Sequence, residues 1–278
     1  MSDKGPKVSR SLATGLVSGL ASTLALQPFD FLKTQMQQAE APPSIRAVVS
    51  RYGIWSLWRG TVPTLWRNVP GIALYFTALA RLRPALAQVP ALQNGGRLSS
   101  FGDALAGATT RVGVGFVLNP LAVLKARVES QRHAYPSLLQ GLQSLAREGR
   151  QGVFRGAGVS ALRDAPYAGV YMASYQRLKL LGRQTRLLAD SHTAVNTLAA
   201  ATAAAFAGIV THPFDVVKTR IQVRNEVHYR TIRSTAMHIW ETRGIRGFYD
   251  GLSLRFGRKM AGSTIAWVVY EAIIERWH

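Results

Sequence analysis

Three arginines stand at the same distance from three glycines of a recurring phrase. A guanidinium binds a carboxylate through two parallel hydrogen bonds, and an ammonium group needs a carboxylate as its partner. The set is therefore typical of a site for a small molecule that carries a carboxylate, an ammonium or both. Arg67, Arg163 and Arg258 each lie seven residues after Gly60, Gly156 and Gly251, and the residues that follow them are Asn68, Asp164 and Lys259.

No constellation for covalent catalysis accompanies these residues. The chain has no cysteine, which excludes a disulfide, a thiolate metal site and a cysteine nucleophile. Its six histidines show no metal-ligand spacing, and there is no phosphate-binding loop, dinucleotide-binding glycine phrase or serine elbow. We therefore expect no catalytic residue, no metal and no enzymatic cofactor.

The composition limits the setting in which the arginines act. A net charge of +20 suits either nucleic acid or an anionic membrane surface. The distribution of the charge favours the membrane, because residues 11–29 and 191–214 contain no Asp, Glu, Lys or Arg. Each stretch is long enough for a hydrocarbon core that needs about 20 apolar residues. We expect an integral membrane protein with no nucleic-acid partner.

Two phrases recur with the same period. A six-residue phrase that begins with proline and ends with lysine occupies residues 28–33, 120–125 and 213–218, so its prolines are 92 and 93 residues apart. An aromatic-base-Gly phrase, Trp58-Arg59-Gly60, returns with its glycines 96 and 95 residues apart. Two motifs that agree in period and order indicate a threefold tandem repeat.

On these two phrases the chain resembles the mitochondrial carrier family over nearly its whole length. The resemblance implies an all-α membrane protein with six transmembrane helices in three tandem pseudo-symmetric repeats and short matrix helices. The repeats would cover residues 1–88, 99–184 and 191–278, and together form one integral membrane domain. The implied location is the mitochondrial inner membrane, multi-pass, with both termini towards the intermembrane space. Residues 1–10 show no cleavable signal pattern, so we expect an internal targeting signal. We also expect a monomer.

The resemblance also implies a matrix gate. In the family the acid of one signature phrase pairs with the base of the next, which here gives Asp30 with Lys125 and Asp215 with Lys33. Lys218 lacks a partner because Ala122 stands where an acid is expected. We expect this gate to be weaker by one pair.

The cytoplasmic gate implied by the family is poorer still. Nineteen residues after each motif glycine the family places an aromatic-acid-x-x-base phrase, and here only Glu271 is acidic. Arg83 and Lys179 are its possible partners, and Gln176 stands at another acid position. A weak gate stabilises the conformation in which it is closed only slightly. We therefore expect the protein to open easily to the outside.

The arginines are the family's substrate contact points, and an Arg-Asp pair on the fourth helix marks amino-acid carriers. Residues 162–171, which include Arg163, Asp164 and Tyr167, closely resemble the carrier branch that brings glycine into mitochondria for haem synthesis. We expect Asp164 to bind the substrate ammonium and Arg67 or Arg258 its carboxylate. Arg111, alone among apolar residues of the third helix, is expected to line the cavity rather than to snorkel to the interface or to pair with Asp103.

Helix N-termini bind phosphate, and the resemblance places structural cardiolipin at the helix starts beside the motif glycines. The residues implied are Arg59, Gly60, Arg155 and Gly156, whereas Asp250 replaces the third base and weakens that prediction.

Three other functions stay open at this stage. Five bases (Arg67, Arg111, Arg163, Arg258 and Lys259) around one acid favour an anion by charge alone, so a carrier for a carboxylate or another amino acid is the runner-up. The other two are an enzyme-like activity, which lacks a catalytic constellation, and a soluble nucleic-acid-binding protein, which high salt would extract.

Overall fold

The computed structural model describes the backbone of residues 5–94, 97–133, 135–184 and 192–275. Side chains are described from residue 21 to residue 265, except at 94–97, 100, 134, 165 and 183–194. The side chain of Glu271 and the repeat limits predicted at residues 1, 191 and 278 lie outside the described part.

The described residues are almost entirely helical. Two strands of two residues each, β1 (Gln93–Asn94) and β2 (Arg97–Leu98), pair antiparallel with Gln93 opposite Leu98. Short 3-10 turns cover Ile54–Trp58, Pro90–Leu92 and Val227–Tyr229. The α-helices in these ranges are α1 Gly5–Gln38, α2 Ile45–Tyr52, α3 Thr61–Leu86, α4 Ser100–Val117, α5 Asn119–Ser130, α6 Leu138–Arg147, α7 Gly149–Val153, α8 Ala157–Gln184, α9 His192–Val210, α10 His212–Val223, α11 Ile232–Gly247 and α12 Leu252–Glu275.

Each repeat has the same order: a long helical segment that carries the signature proline, a short helix, and a second long helix. In the second and third repeats the first segment breaks beside the proline, with bends of 65° between α4 and α5 and 51° between α9 and α10. Proline lacks a backbone donor and its ring clashes with the preceding turn, but it fits the first turn of a new helix. Pro120 and Pro213 both stand there. In the first repeat α1 continues through Pro28.

Judged by length and composition, no single helix in the described part of the chain would cross a membrane, but two bent pairs would. These pairs are Phe101–Val117 with Asn119–Ser130 and Val195–Val210 with His212–Val223.

The repeats join in a ring. The most extensive helix contacts are those of α3 with α4, α8 with α9, and α12 with α1, so the last repeat closes on the first. At the end of the molecule that carries the signature phrases, α1, α5 and α10 also pack against one another pairwise. We call this end the signature end. The threefold arrangement therefore brings the three signature phrases together.

The two residues before each signature lysine anchor these segments. Phe31, Val123 and Val216 are fully buried, and each belongs to an apolar cluster with its neighbour on the chain. The clusters also contain Val48 of α2, Leu145 of α6 or Ile239 of α11, so every signature helix is packed on the short helix of its own repeat. Burying such side chains stabilises a fold by about 1.5–3 kcal/mol each. The acid and the lysine, three residues apart, share a different helix face.

Each motif glycine allows a close contact between repeats. Gly60 has a φ of 91°, and a Cβ there would lie 2.8 Å from Cγ of Glu129. Side chains rarely adopt this φ, so the sequence needs glycine on both grounds. The corresponding contacts are Gly156 with Gln222 and Gly251 with Gln37.

Candidate functional site

Two acids at the signature end connect the repeats. Lys125 donates a 2.6 Å hydrogen bond from Nζ to Oδ2 of Asp30, and Nζ of Lys33 lies 3.6 Å from Oδ2 of Asp215. The first pair joins repeats one and two, and the second joins repeats one and three. Both acids and Lys125 are buried. These are the two pairs that the family resemblance implies, and their role as a gate stays a prediction.

Lys218 has no acid partner among the described side chains. Within the described residues no carboxylate lies within 4.0 Å of its ammonium, and Ala122 occupies the acid's place in the second signature phrase. The threefold network is therefore asymmetric, as the sequence indicates.

The signature acids also receive arginines from the second long helices. Nη1 of Arg163 donates to Oδ1 of Asp215 at 3.0 Å. Arg258 forms an ion pair with Asp30 through Nε, without hydrogen-bond alignment. Two of the predicted substrate residues are thus tied directly to the acids of the predicted gate. The prediction from the sequence that the matrix gate is weaker by one pair did not include these arginine contacts.

Arg255 is a member of this network that sequence reasoning missed. Its side chain forms an ion pair with Asp215 and lies 3.4 Å from Nδ1 of His212. It stands four residues after Gly251, where the other two repeats have Thr64 and Ser160. Aligning the repeats residue by residue would have marked this position, because a cation stands where the other two repeats have hydroxyl residues. Among the described side chains, the two acids therefore pair with five cations: Lys33, Lys125, Arg163, Arg255 and Arg258.

Asp164 lies against the guanidinium that precedes it. Nε and Nη2 of Arg163 donate to its Oδ1 at 2.9 and 2.7 Å. Among the described residues none donates to its Oδ2. Arg163 is therefore shared between two carboxylates, and one oxygen of Asp164 stays available for an ammonium.

Lys259 and Tyr167 meet across the bundle. Nζ of Lys259 donates to the hydroxyl of Tyr167 at 3.3 Å and lies 5.2 Å from the centre of its ring. Tyr167 stacks on Tyr171, which stacks on Tyr175, with ring centres 6.2 and 6.1 Å apart. These tyrosines follow Arg163 at steps of four residues and so share its helix face. Tyr171 and Tyr175 are further residues that sequence reasoning did not place in the site.

Arg67 is the least engaged of the three arginines. Its Nη2 donates to Oδ1 of Asn68 at 3.3 Å, and its charge interacts with those of Asp30 and Glu129. It forms no ion pair with a described carboxylate. Arg111 is exposed and, among the described side chains, pairs with no acid, Asp103 included.

The opposite end of the bundle is held differently. Nε of Arg83 lies 3.0 Å from Oδ1 of Asp103, which joins α3 to α4. Arg83 and Lys179 were the possible partners of Glu271, whose side chain lies outside the described residues, so that pairing stays a prediction. Asp103 lies outside the family phrase but close to Arg83 where α4 begins. Lys179 lies 5.7 Å from the ring centre of Tyr175, and Gln176 is exposed.

The predicted lipid residues are engaged with protein groups. Arg59 donates to Gln131, and Arg155 donates to carbonyls of the third repeat and to Asn225. Gly60 and Gly156 precede α3 and α8 with left-handed φ angles of 91° and 72°. Lipid binding at these helix starts stays a prediction.

Asp250 has a partner that explains its charge. In the second repeat Arg127 donates to Glu148 at 2.5 and 2.7 Å, and this bond holds the pKa of Glu148 below its usual range. In the third repeat an arginine, Arg243, stands in place of that acid and bonds Asp250 at 3.2 Å. The second repeat has Glu148 and Arg155 at the positions of Arg243 and Asp250, so the acid and the base have exchanged positions in the third repeat.

A cavity of about 590 Å³ lies between α3 and α4. Its lining is mainly apolar and includes Arg81, Thr109 and Thr110 but none of the predicted substrate residues.

The comparisons with known proteins agree with one another. The family model described as "Mitochondrial carrier protein" matches three times, over residues 4–89, 96–185 and 189–278. A mitochondrial glycine transporter of Laccaria bicolor is 44% identical, with 95% of this chain and 96% of that protein covered. Proteins of the same name from Emericella nidulans and Aspergillus fumigatus are 40% and 39% identical, over 98% and 97% of this chain and 90% and 93% of theirs. With three motif-bearing repeats joined in a ring and relatives matched end to end, the chain belongs to the mitochondrial carrier family.

Proposed function

We propose that this protein carries a small amino acid, glycine, across the mitochondrial inner membrane into the matrix, where it supplies haem synthesis. The names of the relatives and the Arg163–Asp164 pair support this substrate. Six crossings built from the three repeats would surround a central site. The signature end faces the matrix, and transport proceeds by alternating access without covalent chemistry.

The observation that carries the proposal is that two of the site's three arginines are bound to carboxylates of the protein. Counted as residues, the site has a large excess of bases, which would suit a carboxylate carrier. In the structure Arg163 is bound by Asp164 and Asp215, and Arg258 by Asp30. Because Arg163 and Arg258 are already bound to protein carboxylates, they are less available to a dianion, whereas the free oxygen of Asp164 suits the ammonium of a zwitterion. A carboxylate carrier is the second candidate, favoured by Arg67, Arg111 and Lys259, which form no ion pair with a described carboxylate.

The groups that have no protein partner among the described side chains indicate where the ammonium and the carboxylate of the substrate bind. Oδ2 of Asp164 accepts the ammonium, and Arg67 binds the carboxylate because its guanidinium has no acid partner among the described side chains. Glycine has no side chain that needs a pocket, so these two charged contacts dominate recognition. Substrate bound between α3 and α8 then disturbs Arg163 and Arg258, and through them the matrix gate.

The protein works as a monomer in this proposal. Cardiolipin binds at the starts of α3 and α8, where Gly60 and Gly156 open the helices next to Arg59 and Arg155. The third helix start, beside Asp250, would bind phosphate less well because of its acid.

Uptake of labelled glycine into liposomes that contain the purified protein tests the substrate, with serine, alanine and a dicarboxylate measured alongside. Glycine should enter, and Asp164→Asn should abolish its uptake while the melting temperature changes little, since the amide still accepts from Arg163. Asp103→Asn is the matched control and should transport normally. Dicarboxylate uptake alone would refute the proposal, and normal glycine uptake by Asp164→Asn would refute the site.

A further inference from the structure

One buried acid of the signature end has no role in the scheme above. Glu129 stands four residues after Lys125, and the same position holds Gln37 in the first repeat and Gln222 in the third. A neutral amide is therefore sufficient for the packing in two repeats. The second repeat has an ionisable group there, and that residue is only 2% exposed.

The contacts of Glu129 place it inside the predicted gate. Its Oε1 accepts from Gln27 at 2.9 Å, and its Oε2 accepts from Thr34 at 2.7 Å. Oε1 also lies 3.5 Å from Nζ of Lys125, the same ammonium that bonds Asp30. Two buried carboxylates thus share one lysine across the seam between repeats one and two.

The two acids, Asp30 and Glu129, depend on a small number of nearby cations. The charged groups that act on Glu129 are Lys125 on its own helix, Asp30 on α1, and Arg67 on α3. Arg258 of α12 adds a further cation by pairing with Asp30. Two negative charges are therefore held by Lys125 and by two arginines of the substrate site. Like charges at short range favour protonation of one acid once a compensating cation is withdrawn.

We propose that Glu129 carries a proton and that transport of the amino acid is coupled to it. The idea rests on the proposed function, because the substrate carboxylate is what engages Arg67 and draws Arg258 away from Asp30. The two acids are then left with Lys125 as their only bonded cation among the described side chains, and Lys33 acts on Asp30 from farther away. One proton from the intermembrane-space side binds a carboxylate oxygen of Glu129, and Lys125 separates from the now neutral group. After the gate opens, the proton leaves to the matrix together with the substrate. One proton and one zwitterion cross in each cycle.

The test uses liposomes with the purified full chain, an internal pH dye, and the membrane potential clamped by potassium and an ionophore. An acidic exterior should drive glycine accumulation, and one pH unit should support about a tenfold concentration ratio. Added glycine should acidify the interior. Glu129→Gln, which recreates the residue of the other two repeats, should retain exchange of internal for external glycine while losing both the accumulation and the dye signal.

Glu148→Gln is the matched control, since it removes an acid that pairs with Arg127 outside the predicted gate. It should keep proton-driven accumulation. If Glu129→Gln accumulates glycine under a pH gradient as the wild type does, Glu129 is not the proton carrier. If the wild type shows neither gradient-driven accumulation nor a dye signal, coupling itself is wrong. A wild type that moves no glycine at all would instead refute the proposed function.

A binding measurement covers the case in which Glu129→Gln transports nothing. If glycine binding draws a proton onto Glu129, the shift in melting temperature that glycine causes should be larger at low pH than at high pH for the wild type. For Glu129→Gln the shift should be the same at both. An undiminished pH dependence in that variant would overturn the proposal without any transport measurement.

Discussion

The two ends of the bundle hold their helices by different means. At the signature end Asp30 and Asp215 are buried and bind cations from every repeat. At the opposite end Arg83 and Asp103 form a pair whose side chains are 53% and 45% exposed. Buried ions need partners because desolvation is costly, whereas an exposed pair contributes at most about 1 kcal/mol. The structure is therefore held tightly at the signature end and loosely at the other, which corresponds to a state closed at the signature end, the end that we propose faces the matrix.

Removing an acid from the signature end should have the largest effect. Asp215→Asn leaves Lys33, Arg163 and Arg255 together without the carboxylate they share. Breaking a buried ion pair by removing one partner costs about 3–5 kcal/mol, so the variant should unfold at a much lower temperature than the wild type. Thermal unfolding in detergent with added lipid measures this. Asp103→Asn makes the same chemical change at the loose end and should shift the melting temperature little; equal shifts would contradict the comparison.

Adding the missing acid should strengthen the signature end. Ala122→Asp places a carboxylate where the signature phrase lacks one. Residue 122 lies in the segment that packs against α10, whose Lys218 pairs with no described carboxylate. A hydrogen bond to a charged group contributes about 1.5–3 kcal/mol, so this variant should melt at a higher temperature. It should also transport more slowly, since the closed state becomes harder to leave. Ala122→Asn controls for size, and a rise in that variant too would show that the charge is not responsible.

The repeat, its signature phrases and the lysine partners of Asp30 and Asp215 could be predicted because the same residue types recur at one period. What the sequence did not indicate lies in departures from that period. Arg255 replaces hydroxyl residues, and Glu129 replaces amides, and neither belongs to a motif. The pairing of Arg83 with Asp103 depends on how closely α3 approaches α4, which residue spacing does not determine. In the sequence only the loss of a base at residue 250 was apparent. The structure was needed to show that Arg243 pairs with Asp250.

The smallest expected effect is at the end of the bundle opposite the signature end. Its dependence on salt concentration distinguishes an exposed ion pair from a buried one. Arg83→Gln removes the Arg83–Asp103 pair, and because both side chains are largely exposed, the loss should stay below about 1 kcal/mol. The Debye length falls to about 3 Å at 1 M salt, so the difference in melting temperature between wild type and variant should vanish there. The melting difference for Asp215→Asn should persist at the same salt concentration, since buried charges are screened much less. A salt-insensitive effect at Arg83 would mean that this end is also held by a desolvated interaction, and the contrast between the two ends would then be one of degree.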